Sequence, residues 1–521
     1  MPNIFERVIK STHPEYARNA ASWMLWDLAY HGGPSYAAAR LESHMYEPPE
    51  CYRDRLGSAA VYNYLRTCCD AWASGIFRPP DWEVAGFGLD DGSGRQSPDR
   101  LLAPLALLEK DADRKGTHFL DFFHAQFRRA APVGHIIIGV DMPRAQKFVS
   151  LGHAREAGQR PYLFGIPAVD FLDWQVNDQG EFTMALSREL AYARRFDAGQ
   201  GEIVDDNKPG AGGGGSYIYH LWTPELFYVI DGRGELLGEP VPNPIAPTIP
   251  LTSLQFTTIG HDVIGVGLGA DVEPLQARIM NVASELGEIL KRQTFSQLVL
   301  EGVPLDQLRK AYGTPADQKT QGGDFLMQVG KMAVLAVPPN AKVQYVSPDA
   351  NQARLLLDAI AADIDEIYRI SNLRASGGSL KGGPAESGLS RAIKGLETAA
   401  GMAARGQNVA DAMTKALVFA AQFQKIPRKE AIAAAMVSPP REYGIVDLPD
   451  YALILGQLQN ANASVALCEE LENLIAKALS PGNPNLLAKM AAERGRQPAP
   501  NGGRASGPLG LAAEGTEAAL P

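Results

Sequence analysis

Apolar positions recur at helical spacing through the first eighty residues. Val61, Leu65, Cys68, Trp72 and Ile76 fall three or four residues apart, and Trp23, Trp26, Leu28 and Tyr30 make a second apolar patch. Residues 16–78 therefore read as helices. Phe77-Arg78-Pro79-Pro80 closes this block, because proline cannot continue a helix. A Gly/Asp/Ser-rich stretch, 86–100, follows as an exposed loop. Between 101 and 260 the pattern is mixed. Leu105–Leu108 and Phe119–Phe127 read as short helices, and the run Ile136-Ile137-Ile138-Gly139-Val140 as a buried strand ending at Asp141-Met142-Pro143. Further strands are predicted at 162–164, 169–174, 182–190, 216–222 and 226–231, with Gly210–Ser216 as a hairpin loop. Five prolines between Pro240 and Pro250 predict an extended connector.

From about 270 long helical patterns take over. Leu275, Ile279, Val282, Leu286, Ile289 and Leu290 share a face over 272–295. Residues 298–346 are short elements with turns at Gly302, Gly313-Thr314-Pro315 and Gly322-Gly323 and strands at 333–337 and 342–346. A second long helix is predicted over 349–371, with Ala353, Leu357, Ile360, Ile364 and Ile367 on one side. A third spans 389–423 and a fourth 452–479. Between the second and third lies a glycine-rich loop, 372–388, whose middle carries only the positive charges of Arg374 and Lys381. Helix–helix connections usually take ~2–8 residues, so a loop this long reads as functional. The Gly/Pro-rich tail from Gly495 reads as disordered, and no repeat of fixed period is present.

Composition narrows the function classes. The 521 residues would fill three or four domains at ~150 residues each. A formal net charge of −10 disfavours a protein that wraps tightly on phosphates. No basic start leads into an apolar run, and no stretch of about 18 apolar residues predicts a membrane span. Cys51, Cys68, Cys69 and Cys468 make no C-x-x-C pair and have no clustered histidines, so neither a metal site nor a disulfide framework is expected. The nine histidines are scattered, and His135 reads as a satisfied core residue. Asp358, Asp363, Asp365 and Glu366 crowd one helix and read as a solvated or channel-facing acidic face. The tempting chemical motif is Gly265-Val266-Gly267-Leu268-Gly269 before the 272 helix, since a glycine loop opening a helix can hold a phosphate. This would make the chain an α/β enzyme binding a nucleotide. However, the spacing is G-x-G-x-G without a clear preceding strand, and a turn into the helix is the favoured reading. No catalytic constellation and no cofactor are predicted.

The order of parts carries more than any motif: helical N-terminus, α/β block, long helix, small β-containing module, second long helix, loop, third long helix, helical C-terminus. This order resembles the portal proteins of tailed bacteriophages. Leu120–Pro143, with its helix, glycine, aliphatic strand and Asp141-Met142-Pro143, is similar to a portal signature. So are Arg160-Pro161-Tyr162 with Phe171-Leu172-Asp173-Trp174, and Ala385-Glu386-Ser387-Gly388 after the loop. The resemblance covers about 15–490. It implies an α+β portal fold with an N-terminal region and α/β wing over 1–268, stem helices over 269–297 and 349–371, and a β-containing clip over 298–348. It also implies a tunnel loop over 372–388, a long wing helix with return segment over 389–449, a helical crown over 450–494 and a tail over 495–521. The implied function is a ring, typically of twelve copies, at one capsid vertex. That ring would conduct DNA in packaging and ejection without enzymatic activity. Double-stranded DNA, the terminase large subunit, a head–tail adaptor and the major capsid protein are the implied partners, without a membrane. The implied location is the virion, and the host cytoplasm during assembly. By position, Arg374, Ser376, Ser379 and Lys381 would face DNA in the channel. Asp306, Arg309, Lys310, Asp317 and Lys319 would dock partners at the clip.

Overall fold

The computed structural model describes residues 4–78, 82–84, 105–143, 160–190, 194–197, 202–205, 217–260, 263–294, 297–301, 342–346, 350–373 and 388–440, and the single positions 443, 455, 468 and 472. The chain divides into two compact units, 1–445 and 446–521. Every element below belongs to the first. The fold is α+β.

The N-terminal block is helical, as its periodicity predicts: α1 (Ile4–Val8), α2 (Pro14–His31), α3 (Gly33–Arg40), α4 (Pro49–Ser58) and α5 (Tyr64–Phe77). Proline in the first turn and a His13 side chain accepting from the Glu15 N–H start α2. The apolar face of α5 buries Leu65, Cys68, Trp72 and Ile76. After the two-residue strand β1 (Glu83–Val84) come α6 (Ala106–Lys110) and α7 (Phe119–Val133), which ends at Gly134 in a left-handed conformation, φ +116°. The strand β2 (His135–Asp141) follows at once. It is the centre of a three-stranded antiparallel sheet, flanked by β3 (Tyr162–Pro167) and, much later in the chain, β11 (Leu251–Gln255). Covered on both faces, it buries every residue from His135 to Val140, which is why the sequence shows an unbroken apolar run.

A second, five-stranded antiparallel sheet has the order β10 (Val241–Pro242), β9 (Leu226–Ile230), β8 (Tyr217–Trp222), β5 (Phe182–Leu190), β4 (Phe171–Val176). The predicted strand over 169–174 starts later than expected, because Ala168–Asp170 form a turn of 3-10 helix first. Four pairings were not foreseen. These are the hairpin β6 (Arg194–Asp197) with β7 (Glu202–Asp205), the addition of β11 to the first sheet, and the pair β12 (Thr257–Thr258) with β13 (Gly265–Val266). The fourth is β14 (Gln297–Glu301) with β15 (Lys342–Val346).

Three long helices dominate the rest: α8 (Gly269–Thr294), α9 (Ala350–Ile370) and α10 (Gly388–Phe423). At 1.5 Å per residue they run about 39, 31 and 54 Å. The C-terminal half of α10 is buried, with Val409, Ala410, Met413, Ala416, Leu417 and Ala420 all inside. It packs on α5, α7 and the β2–β11 sheet. Its alanines allow that close approach. The chain then turns back through α11 (Arg428–Ala434) to β16 (Val437–Ser438), which pairs with β1. The strand expected at 333–337, the hairpin loop at 210–216 and the tail from 495 lie outside the described residues, and of the helix expected at 452–479 Leu455, Cys468 and Glu472 are described, each helical.

Candidate functional site: a fastened pair of long helices

The functional candidate is the pair α8–α9 and the points that hold it. The two helices pack together, and their far ends continue into β14 and β15. These strands pair antiparallel, Gln297 opposite Val346 and Glu301 opposite Lys342. The chain therefore leaves along α8 and returns along α9. The cross-helix ion pair agrees with that direction. Arg278 lies 16 residues before the end of α8, Asp363 13 residues after the start of α9, and their side chains meet. Arg278 Nε donates to Asp363 Oδ2 at 2.7 Å, and a second bond joins Nη2 to Oδ1. Such a forked contact gives both energy and register.

Asp363 is only 4% exposed. The expectation of a wholly solvated acidic face therefore fails at this position, because the carboxylate is spent on holding α9 to α8. Asp358, Asp365 and Glu366 are half-buried, and Glu366 is paired with Arg369. No group of three or more His, Cys, Asp or Glu placed to hold a metal occurs among the described residues. The four cysteines are free.

The near end of α8 is fastened by a flank of polar side chains that hydrophobic periodicity does not reveal. Buried Glu273 accepts from Tyr36 Oη at 3.0 Å and from Arg40 Nε at 2.7 Å. Burial and the Glu273 carboxylate push the Tyr36 hydroxyl pKa well up. Buried Gln276 bridges two helices: it accepts from the Leu65 N–H at 2.9 Å and donates to the Ala29 carbonyl at 3.2 Å. Asn281 donates to the Arg40 carbonyl and accepts from the Glu42 N–H, and Ser284 accepts from Arg55. The sequence signal was present, as four polar residues, Glu273, Gln276, Asn281 and Ser284, along one flank of α8.

The near end of α9 is held separately. The Trp72 indole N–H donates to the Ser371 carbonyl at 3.0 Å, Ser371 Oγ contacts Cys68 Sγ, and Thr398 Oγ1 donates to the Asn372 carbonyl at 2.8 Å. Asn372 itself is left-handed, φ +51°. The Arg405 guanidinium lies 4.1 Å from the Trp72 ring centre and 4.5 Å from that of Phe256, and burial lowers its pKa to about 10. The loop candidates Arg374, Ser376, Ser379 and Lys381 lie outside the described residues, as do the clip candidates Asp306, Arg309, Lys310, Asp317 and Lys319. Leu373 and Gly388, at the ends of that loop segment, are described.

The glycine motif resolves as packing. A Cβ on Gly267 would stand 2.5 Å from the Gly134 nitrogen, 2.6 Å from the Pro132 oxygen and 2.7 Å from the Ala131 oxygen. The Leu268 N–H donates to the Ala131 carbonyl at 2.9 Å. Backbone from α7 occupies the space a phosphate would need at this glycine. The motif's own first two residues form the short strand β13, which pairs with β12.

A cleft of about 620 Å³ borders the two larger sheets. Several of its polar groups have internal partners: Arg188 with Asp170 at 3.1 Å, His220 with Glu189 at 3.3 Å, Tyr162 with Asp141 at 3.1 Å. Burial lowers the His220 pKa. His135 is a core residue as expected, but it is not satisfied. Its Nδ1 has no hydrogen-bond partner among the described residues, and burial pushes its pKa down to about 4.

No family model matches the chain, and no curated protein matches it. Among solved structures, a chain from the virion of a native gene transfer agent particle aligns over 81% of this chain and 92% of its own length, with a TM-score of 0.37 and 10% identity. At that score the likeness carries no argument, and the functional reading stands on the elements described above. No helix among the described residues is long and apolar enough to cross a membrane.

Proposed function

We propose that this chain is the subunit of a phage-type portal ring, a non-enzymatic conduit for double-stranded DNA at one capsid vertex. One observation carries the reading. Two long antiparallel helices leave the body together, join at their far ends through paired strands that bracket residues 302–341, and return to a segment, 374–387, that precedes a 36-residue helix. In the portal reading these are stem, clip, tunnel loop and wing helix. The clip residues would meet the terminase large subunit during packaging and the head–tail adaptor afterwards. The body would contact the major capsid protein. Arg374 and Lys381 would touch passing DNA.

Electrostatics fits a conduit better than a grip. Twelve chains of formal charge −10 surround the lumen with a large negative total, on the order of −120. Such a wall repels phosphates, so a moving duplex is not held by counterion release. The test is electron microscopy of the purified full chain at several salt concentrations. Rings with a central hole are expected. A preparation of monomers and dimers under every condition would refute the proposal.

A further inference from the structure

Strand β4 ends the five-stranded sheet and pairs on one side only, with β5. Its other side is not bare, because residues 4–13 cross the sheet as a strap and finish there. At the far end of the strap the Phe5 ring lies 5.5 Å from that of Tyr228 on β9, and a Cβ on Gly234 would stand 2.7 Å from the Glu6 nitrogen. Phe5, Val8 and Ile9 pack into the same apolar cluster as Phe171, Trp174 and Ile230. At the near end Ser11 Oγ donates to Asp173 on β4. A sheet edge covered in this way is protected from pairing with another chain.

His13 closes the strap with three contacts from one residue. Its N–H donates to the Leu172 carbonyl at 2.9 Å. Its ring stacks on Trp174, with centroids 4.0 Å and planes 19° apart. Its Nδ1 accepts from the Glu15 N–H at 3.2 Å and so caps α2. Pro14 has no N–H, so Glu15 carries the first donor of the helix. Serine, threonine, asparagine and aspartate are the usual caps, and none of them gains a proton between pH 8 and 5. Imidazole does.

The cap uses the Nδ1 lone pair, so a proton arriving there displaces the Glu15 N–H and sets two donors face to face. It also puts positive charge at the N-terminus of an 18-residue helix, where the dipole disfavours it. The charged groups on the neighbouring elements are already engaged. Glu15 is bonded to Arg18 at 2.6 Å, Glu6 to Lys10 at 2.7 Å and Asp170 to Arg188 at 3.1 Å, and Asp173 takes the Ser11 hydroxyl. None of these carboxylates is paired with the His13 ring.

We propose that residues 4–13 are an acid-released strap: His13 latches it on β4 while the ring is neutral and lets it go when Nδ1 is protonated. The latched form refuses a proton that the released form accepts, so falling pH favours release by mass action. Release uncovers the Leu172 carbonyl and the Trp174 ring at the edge of the sheet, where an extended segment can pair.

The test is hydrogen–deuterium exchange of the full chain, read by mass spectrometry at pH 7.5 and 5.5 with the intrinsic pH dependence of amide exchange divided out. In the wild type the amides of 4–17 and 171–176 should exchange about five- to thirtyfold faster at the lower pH, while those of β2 hold. His13→Asn keeps a capping oxygen that does not titrate and should remove the difference. His13→Ala should exchange fast at both pH values. No acceleration in the wild type, or the same acceleration in His13→Asn, would overturn the latch. Acceleration of β2 together with the strap would overturn it too, because acid would then be opening the whole unit.

Discussion

Replacing Gly267 with alanine separates a phosphate-binding loop from a packed joint. The substitution adds one methyl group. That methyl would lie 2.5–2.7 Å from three backbone atoms of α7 and its end: the Gly134 nitrogen and the Pro132 and Ala131 oxygens. Backbone cannot rotate aside as a side-chain tip can, so α7 and the start of α8 must separate. Overpacking of this kind costs about 1–3 kcal/mol. Moving α8 also weakens the bond from the Leu268 N–H to the Ala131 carbonyl, worth about 1 kcal/mol. The total is about 3 kcal/mol, a drop in melting temperature of roughly 3 °C for the unit spanning residues 1–445. Gly287, in the middle of the same helix, has nothing within 4 Å of its would-be Cβ. Gly287→Ala should instead stabilise by roughly 0.5–1 kcal/mol, the ordinary helical preference for alanine. Thermal melts of the two variants of the full chain, followed by circular dichroism, read out opposite signs from one chemical change in one helix. If Gly267→Ala melts no lower than wild type, the joint is not packed as described and the phosphate reading returns. Titration with nucleotides would then be the next measurement.

Three further outcomes are expected. Arg278→Met leaves the Asp363 carboxylate buried without its partner. It should cost about 1–3 kcal/mol, discounted because Arg278 is itself largely exposed; the double variant with Asp363→Leu should recover part of that loss, and strict additivity in urea melts would refute the coupling. His135 is kept neutral by burial, so the unfolded chain takes up a proton below pH 6.5 that the folded chain refuses until about pH 4. Stability present at neutral pH should therefore fall across that window by on the order of 3 kcal/mol, and a His135→Phe variant whose pH slope is no shallower than wild type would contradict this. Trp72→Phe keeps the ring but removes the donor to the Ser371 carbonyl, and should cost about 1 kcal/mol in the same melts; no loss would mean that water replaces the indole N–H.

The elements legible in the sequence are those that bury one face. The long helices α8, α9 and α10 begin and end within three residues of the positions their periodicity predicts, because a 3.6-residue stripe records a packed side directly. β5 and β15 coincide with the predicted strands. The elements missed are short or depend on distant partners. β11 follows a proline-rich connector and becomes a strand by pairing with β2, more than a hundred residues earlier. β13 has two residues, and a glycine in it reads as loop. The buried polar fastenings read as surface for a different reason. Gln276, Glu273 and Arg55 are polar in type and so read as surface, yet each sits inside because a specific partner meets it. Asp363 belongs to the same class: no sequence pattern distinguishes a carboxylate facing Arg278 from one facing water.

These fastenings are unevenly placed, and the distribution says something about how the helix pair is used. Glu273, Gln276, Arg278, Asn281 and Ser284 all lie in the first sixteen residues of α8, and Trp72, Ser371 and Thr398 hold the C-terminal end of α9. Both sets sit at the body end of the pair. Toward the other end the described surfaces carry Leu290, Leu355 and Leu357 in solvent. A single chain therefore builds a rigid root and leaves three exposed leucines, among charged residues such as Glu288, Lys291 and Arg354, toward the other end. That asymmetry is costly for a free-standing subunit and suitable for one whose shaft is covered by its neighbours. Polar bonds at the root fix the direction of the helices before assembly. In the ring proposed above, the exposed leucines would join copies without demanding a unique set of hydrogen bonds at each step. A shaft made rigid by its own polar bonds would have no need of neighbours, and an apolar root would not fix the angle at which those neighbours meet.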